Sequence, residues 1–125
     1  MSFCIRLKAP LFTQVNYEEY LQICTLSTEE TTRDTKVLVS IGNRDQLQNV
    51  DFEFTSGIPI EFNSVGVSVF NEVILNTCAN IKGIFKKPGE YIFTVALLDQ
   101  VSNELLDEEI AVFKVSPSGH QHKHY

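Results

Sequence analysis

The residue types able to do chemistry fall into three groups in this chain. All three histidines lie in the last six positions, His-Gln-His-Lys-His-Tyr. In an extended chain His120, His122 and His124 project to one side, and neutral imidazoles bind Zn, Ni or Cu readily. They follow Ser116-Pro117-Ser118-Gly119, a flexible stop, so we read a tail with adventitious metal affinity and assign no metal site. Residues 1–119 hold no histidine, which removes the commonest general base at neutral pH and a favoured metal ligand. Carboxylates cluster at Glu18-Glu19, Glu29-Glu30 and Asp107-Glu108-Glu109. Paired acids serve glycoside hydrolysis or bind calcium, but none of these clusters has the spacing of a calcium loop, and a solvated face is the simpler reading. The third group is Cys4, Cys24 and Cys78, an odd number with no CxxC pair. A thiol zinc site has no local support. Apolar neighbours flank each one, so the expectation is three buried, reduced thiols. No Gly-rich phosphate loop, nucleophile elbow or kinase motif is present. No cofactor is assigned.

The chain has 125 residues, the length of one domain. It is 43% hydrophobic and 21% charged, which is a globular composition rather than a disordered one. A net charge of −6 argues against non-specific nucleic-acid binding, which needs a basic surface, and against docking on anionic membranes. The start of the sequence has no signal-peptide h-region, and no apolar run approaches the length of a membrane span. Together with free thiols this gives a cytoplasmic expectation.

The elements that must position these residues read as strands. Phe3, Ile5 and Leu7 alternate with polar residues up to Ala9-Pro10. Residues 16–26 fit two patterns: a helical face of Tyr17, Tyr20, Leu21 and Cys24, or a strand rich in Tyr, Ile, Thr and Leu. Strand is favoured because the rest of the chain is β. Ser27 to Thr35 is a polar loop. Val37, Val39 and Ile41 form a strand, and Asn43 to Asn49 is a polar connection. Phe52 and Phe54 point inward from the next strand. Ile58, Ile60 and Phe62 form a short strand with one apolar face, and Pro59 makes it an edge. Val65, Val67 and Val69 alternate up to a break at Asn71-Glu72. Val73 to Phe85 is one long β-like run, with Gly83 as a bulge. Lys86-Lys87-Pro88-Gly89-Glu90 is the sharpest turn signal and predicts a central hairpin into Tyr91–Leu98. Tyr91, Phe93, Val95 and Leu97 share one face. Ile92, Thr94, Ala96 and Leu98 share the other, also apolar, so both faces are expected to be at least partly covered. Asp99 to Asn103 is a loop, and Leu105 to Val115 returns.

Pro88, Gly89, Tyr91, Asp99 and Phe113 together resemble the penultimate and last strands of immunoglobulin-like sandwich domains. The resemblance implies a tyrosine corner, with Tyr91 bonding back to nearby backbone. The chain departs from antibody-type domains in having no Trp and no Cys pair placed to bridge two sheets.

The expected fold is all-β: a single-domain immunoglobulin-like β-sandwich of about eight antiparallel strands over residues 1–115, followed by a flexible tail, 116–125, that carries the histidines. The expected function is a non-enzymatic protein-interaction module, a component or accessory of a bacterial or phage assembly. Its partner would be a protein or a second copy of the chain, bound through loops or an edge. The candidate binding residues are Ile58, Ile60, Glu61 and Phe62, although Pro59 reads equally well as a device that protects the edge from aggregation. The alternative is a small enzyme or metal-binding protein that uses the clustered carboxylates.

Overall fold

A computed structural model describes residues 3–28, 34–42 and 44–117. Its strands are β1 (Phe3–Lys8), β2 (Phe12–Gln14), β3 (Glu19–Ser27), β4 (Thr35–Ile41), β5 (Val50–Phe54), β6 (Val67–Val73), β7 (Cys78–Phe85), β8 (Gly89–Asp99) and β9 (Leu105–Ser116), with a 3-10 helix at Arg44–Asn49. They form two sheets, ordered β1-β3-β7-β5 and β2-β9-β8-β4-β6. The fold is the expected all-β sandwich. The parallel pairing of β2 on β9 was not legible, because three residues next to a proline carry no periodicity. The His120, His122 and His124 cluster and Glu29-Glu30 lie outside the described residues. Among the described residues no helix is long and apolar enough to cross a membrane.

The ambiguous stretch is a strand. Leu21 and Ile23 are buried while Tyr20 is exposed, a period of two set by pairing with β1 on one side and β7 on the other. Thr35 is no loop residue. It opens β4 fully buried, and its hydroxyl donates to the Val73 carbonyl at 3.0 Å. The long run expected from Val73 is two strands: β6 ends at Val73 and β7 begins at Cys78. The expected break at Asn71-Glu72 lies inside β6, where Glu72 has a φ of 52°.

The central turn is also different. β7 and β8 belong to opposite sheets, so Lys86 to Pro88 arch across the sandwich instead of closing a hairpin. Gly89, at a φ of 143°, supplies the backbone conformation on the far side. The hairpin is β8–β9. In its loop the Asp99 carboxylate accepts hydrogen bonds from the amides of Val101 and Ser102 at 3.0 and 2.9 Å.

The arch lets phenylalanines fill the core in place of the missing Trp. Phe85 on one sheet packs 4.8 Å from Tyr91 and 5.3 Å from Phe113 on the other, measured between ring centroids. Phe93 meets Phe52 and Phe113 edge-on, at 5.4 and 5.6 Å. Such pairs add about 0.5–1.5 kcal/mol each beyond the area they bury. The Tyr91 hydroxyl donates to the Lys87 carbonyl at 2.6 Å, so the tyrosine corner is present.

Candidate functional site

The outer faces of the two sheets differ in chemistry. On the four-stranded sheet polar outward residues pair with one another, beside the exposed Tyr20 and Leu26. The Gln22 amide donates to Asn80 at 3.0 Å. Lys82 lies 3.2 Å from Glu53 and 3.7 Å from Glu18. The hydrogen bond to Glu53, and then the charge of Glu18, raise the Lys82 pKa above its ordinary value. This is a solvated face.

The outer face of the five-stranded sheet is apolar and open. Strand register aligns Val69, Leu38, Ala96 and Glu108 in one row across β6, β4, β8 and β9. The next row is Val67, Ser40, Thr94 and Ile110, and Ile92 stands beside Val112 in the third. Ile92 is 48% exposed and Ile110 59%. Only the small Ala96 is buried by its neighbours. The expectation that both faces of β8 are at least partly covered holds unevenly: one face is core, and on the other Ala96 is buried and Thr94 and Leu98 are half-buried while Ile92 faces solvent. The sequence signal was present in Ile92, Ile110 and Val112, but alternation alone does not say whether a second apolar face has a covering layer. At one border Phe12 is 73% exposed, with the Lys114 ammonium 5.8 Å from its ring centroid. Glu90, Lys114 and Glu108 supply charge around the apolar rows, the anatomy of a contact surface with an apolar centre and a polar rim.

The predicted segment Ile58–Phe62 is not a strand, and its apolar residues do not share one exposed face. Ile60 is 8% exposed and belongs to the core, and Phe62 is half-buried with its ring 6.2 Å from that of Phe52. Ile58 and Glu61 are exposed. The segment lies along β5, taking the Phe54 amide on the Ile58 carbonyl at 2.8 Å and giving the Ile60 amide to the Phe52 carbonyl at 2.9 Å. It thereby covers part of the β5 edge, and Pro59 stands where no ladder donor is needed.

The carboxylates are built into the fold. Asp107 accepts the Ile5 amide at 2.8 Å, and Glu109 accepts the Leu7 amide at 2.6 Å. Both amides belong to β1, an edge of the first sheet, so these side chains fasten it to β9 of the second. Glu19 accepts a hydrogen bond from Thr13. Among the described residues no three His, Cys, Asp or Glu side chains group as metal ligands.

The cysteine expectation is overturned. Cys24 and Cys78 form a disulfide between β3 and β7, and Cys4 is a free, half-buried thiol. The two are register partners with Cα atoms 4.0 Å apart. They are 54 residues apart in sequence, so only the strand pairing brings them together. The bridge lies within one sheet and does not link the two. Free thiols were one of the grounds for the cytoplasmic expectation, and that ground no longer applies.

No family model matches the chain, and no curated protein sequence does. Its fold is similar to that of a solved cohesin module from a family 33 glycoside hydrolase of Clostridium perfringens, with a TM-score of 0.59 at 10% identity over 94% of this chain and 98% of that one. The fold is thus an immunoglobulin-like β-sandwich.

Proposed function

We propose that this chain is a non-enzymatic protein-interaction module whose partner, a protein or a second copy of the chain, binds across the open outer face of the five-stranded sheet. The observation that carries this is the group of exposed apolar side chains Ile92, Ile110 and Val112 on neighbouring strands, where the centre of the other sheet's outer face is polar and internally paired. Burying such surface is favourable at about 25 cal/mol per Å2. Ile58 and Glu61, the accessible members of the predicted segment, form a second contact surface. The finer proposal is that the module is a component or accessory of a bacterial or phage assembly; the likeness to a bacterial cohesin module bears on its fold.

The test is capture of a partner by the immobilised chain, with sedimentation to detect self-association. Ile92→Asp combined with Ile110→Asp should abolish capture, or dissociate the oligomer, while leaving the melting temperature near wild type. Ile58→Asp combined with Glu61→Lys should weaken it less. If the first pair has no effect and the second abolishes binding, the contact is the β5 edge. If neither matters and Glu108 or Glu109 proves essential to a measurable turnover, the enzyme reading replaces this one.

A further inference from the structure

The two sheets close unevenly. On one side Asp107 and Glu109 fasten β9 to β1. On the opposite side, where β5 and β6 are the edge strands, a cleft of about 220 Å3 enters between the sheets. Its floor is Ile23, Val37, Val39 and Ile81, all buried. Phe54 and Phe70, both half-buried, stand at its rim with ring centroids 5.5 Å apart in an edge-to-face arrangement.

No charged side chain lines this cleft. Thr25 and Thr77 do, but their hydroxyl protons are committed: both donate to the Ile74 carbonyl, at 3.3 and 2.5 Å. The cleft therefore offers shape and apolar surface and no free side-chain donor. The lining offers water few of the two to four polar partners that hold an ordered one, whereas an apolar cavity of about 150 Å3 is enough for benzene.

We infer that this cleft is a binding site for a small, neutral, apolar molecule of one or two rings. The volume sets the size, and with the hydroxyl protons committed the lining has no side-chain donor for a ligand's acceptor groups. The rim favours a free molecule over a partner's side chain. The buried floor of Ile23, Val37, Val39 and Ile81 lies between the sheets, behind the half-buried Phe54 and Phe70, where a free molecule of this size fits without a partner's backbone having to follow it. The site lies between the sheets and is independent of the outer-face proposal.

Benzene and indole are the probes. Titrated into the full chain, each should give saturable methyl NMR shifts centred on Ile23, Val39 and Ile81 and should raise the melting temperature. Ala79→Leu from the β7 side and Val73→Phe from the β6 side should each weaken binding at least tenfold. Absence of saturable shifts with both probes up to their solubility overturns the inference, as do shifts centred elsewhere or unchanged affinity in a folded filled variant. If neither variant folds, the wild-type titration decides.

Discussion

The ring of Phe52 lies directly over Gly83: a Cβ built on Gly83 would stand 2.2 Å from Phe52 Cε1. The two residues are register partners on β5 and β7, and the ladder is regular through Gly83. Gly83 is therefore not the bulge its position in a strand suggests. It is the space that lets Phe52 reach Phe85 and Phe93.

Gly83→Ala tests this relationship. In an ordinary strand the change would help slightly, because Gly loses more backbone entropy on folding. Here the colliding atom belongs to a buried ring wedged among other rings, so the steric term should win and cost about 1–3 kcal/mol. Urea unfolding measures it. A variant as stable as wild type would mean that Phe52 has another place to go.

Tyr91 gives two linked expectations. Tyr91→Ala should cost about 3–5 kcal/mol as a buried aromatic, and Tyr91→Phe about 1 kcal/mol for the lost bond to Lys87. Burial also raises the Tyr91 pKa above its ordinary value. The unfolded phenol ionises near pH 10 and the folded one at higher pH. This stability is therefore whole below about pH 10 and declines as pH rises through the folded pKa. Melts from pH 8 to 11 should show a steeper alkaline loss for wild type than for Tyr91→Phe, and equal slopes would remove Tyr91 as the cause.

What was legible in the sequence was local. The strand alternation around Val37, Phe52 and Phe93 and the corner at Pro88-Gly89-Tyr91 depend on near neighbours. What was hidden depends on which strands pair. Cys24 meets Cys78 only through the β3–β7 ladder. Pro88-Gly89 looks the same whether it closes a hairpin or arches between sheets. Ile60 reads as one of three alike residues until β5 draws its backbone in and buries it. The open outer face lay in plain residues, Ile92 and Ile110, and what a periodicity does not carry is whether another layer covers them.

The disulfide predicts a thiol count. In denaturant and without reductant, one cysteine should titrate, Cys4, and after reduction three. Cys24→Ser should lower stability by about 2–4 kcal/mol, because the cross-link restricts a long loop of the unfolded chain. Three thiols in the unreduced, denatured protein would show that the bridge does not form in solution.

The last prediction separates structural carboxylates from catalytic ones. Asp107 and Glu109 each take an amide of β1, and removing either leaves a part-buried edge donor without its acceptor. Asp107→Ala and Glu109→Ala should each cost about 1–3 kcal/mol, with Asp107→Ala also releasing Arg6, whose guanidinium lies 3.5 Å away. Glu108, exposed on the outer face between them, accepts neither β1 amide, and Glu108→Ala should change stability by less than about 0.5 kcal/mol. The three acids are neighbours in sequence, so a site built from the cluster would make all of them matter to one activity. The fold makes them alternate instead, two holding β1 in place and one facing solvent. Chemical denaturation of the three variants checks the pattern. Uniform small effects would mean that the β1–β9 contact does little for stability, and would reopen the acidic cluster as a site.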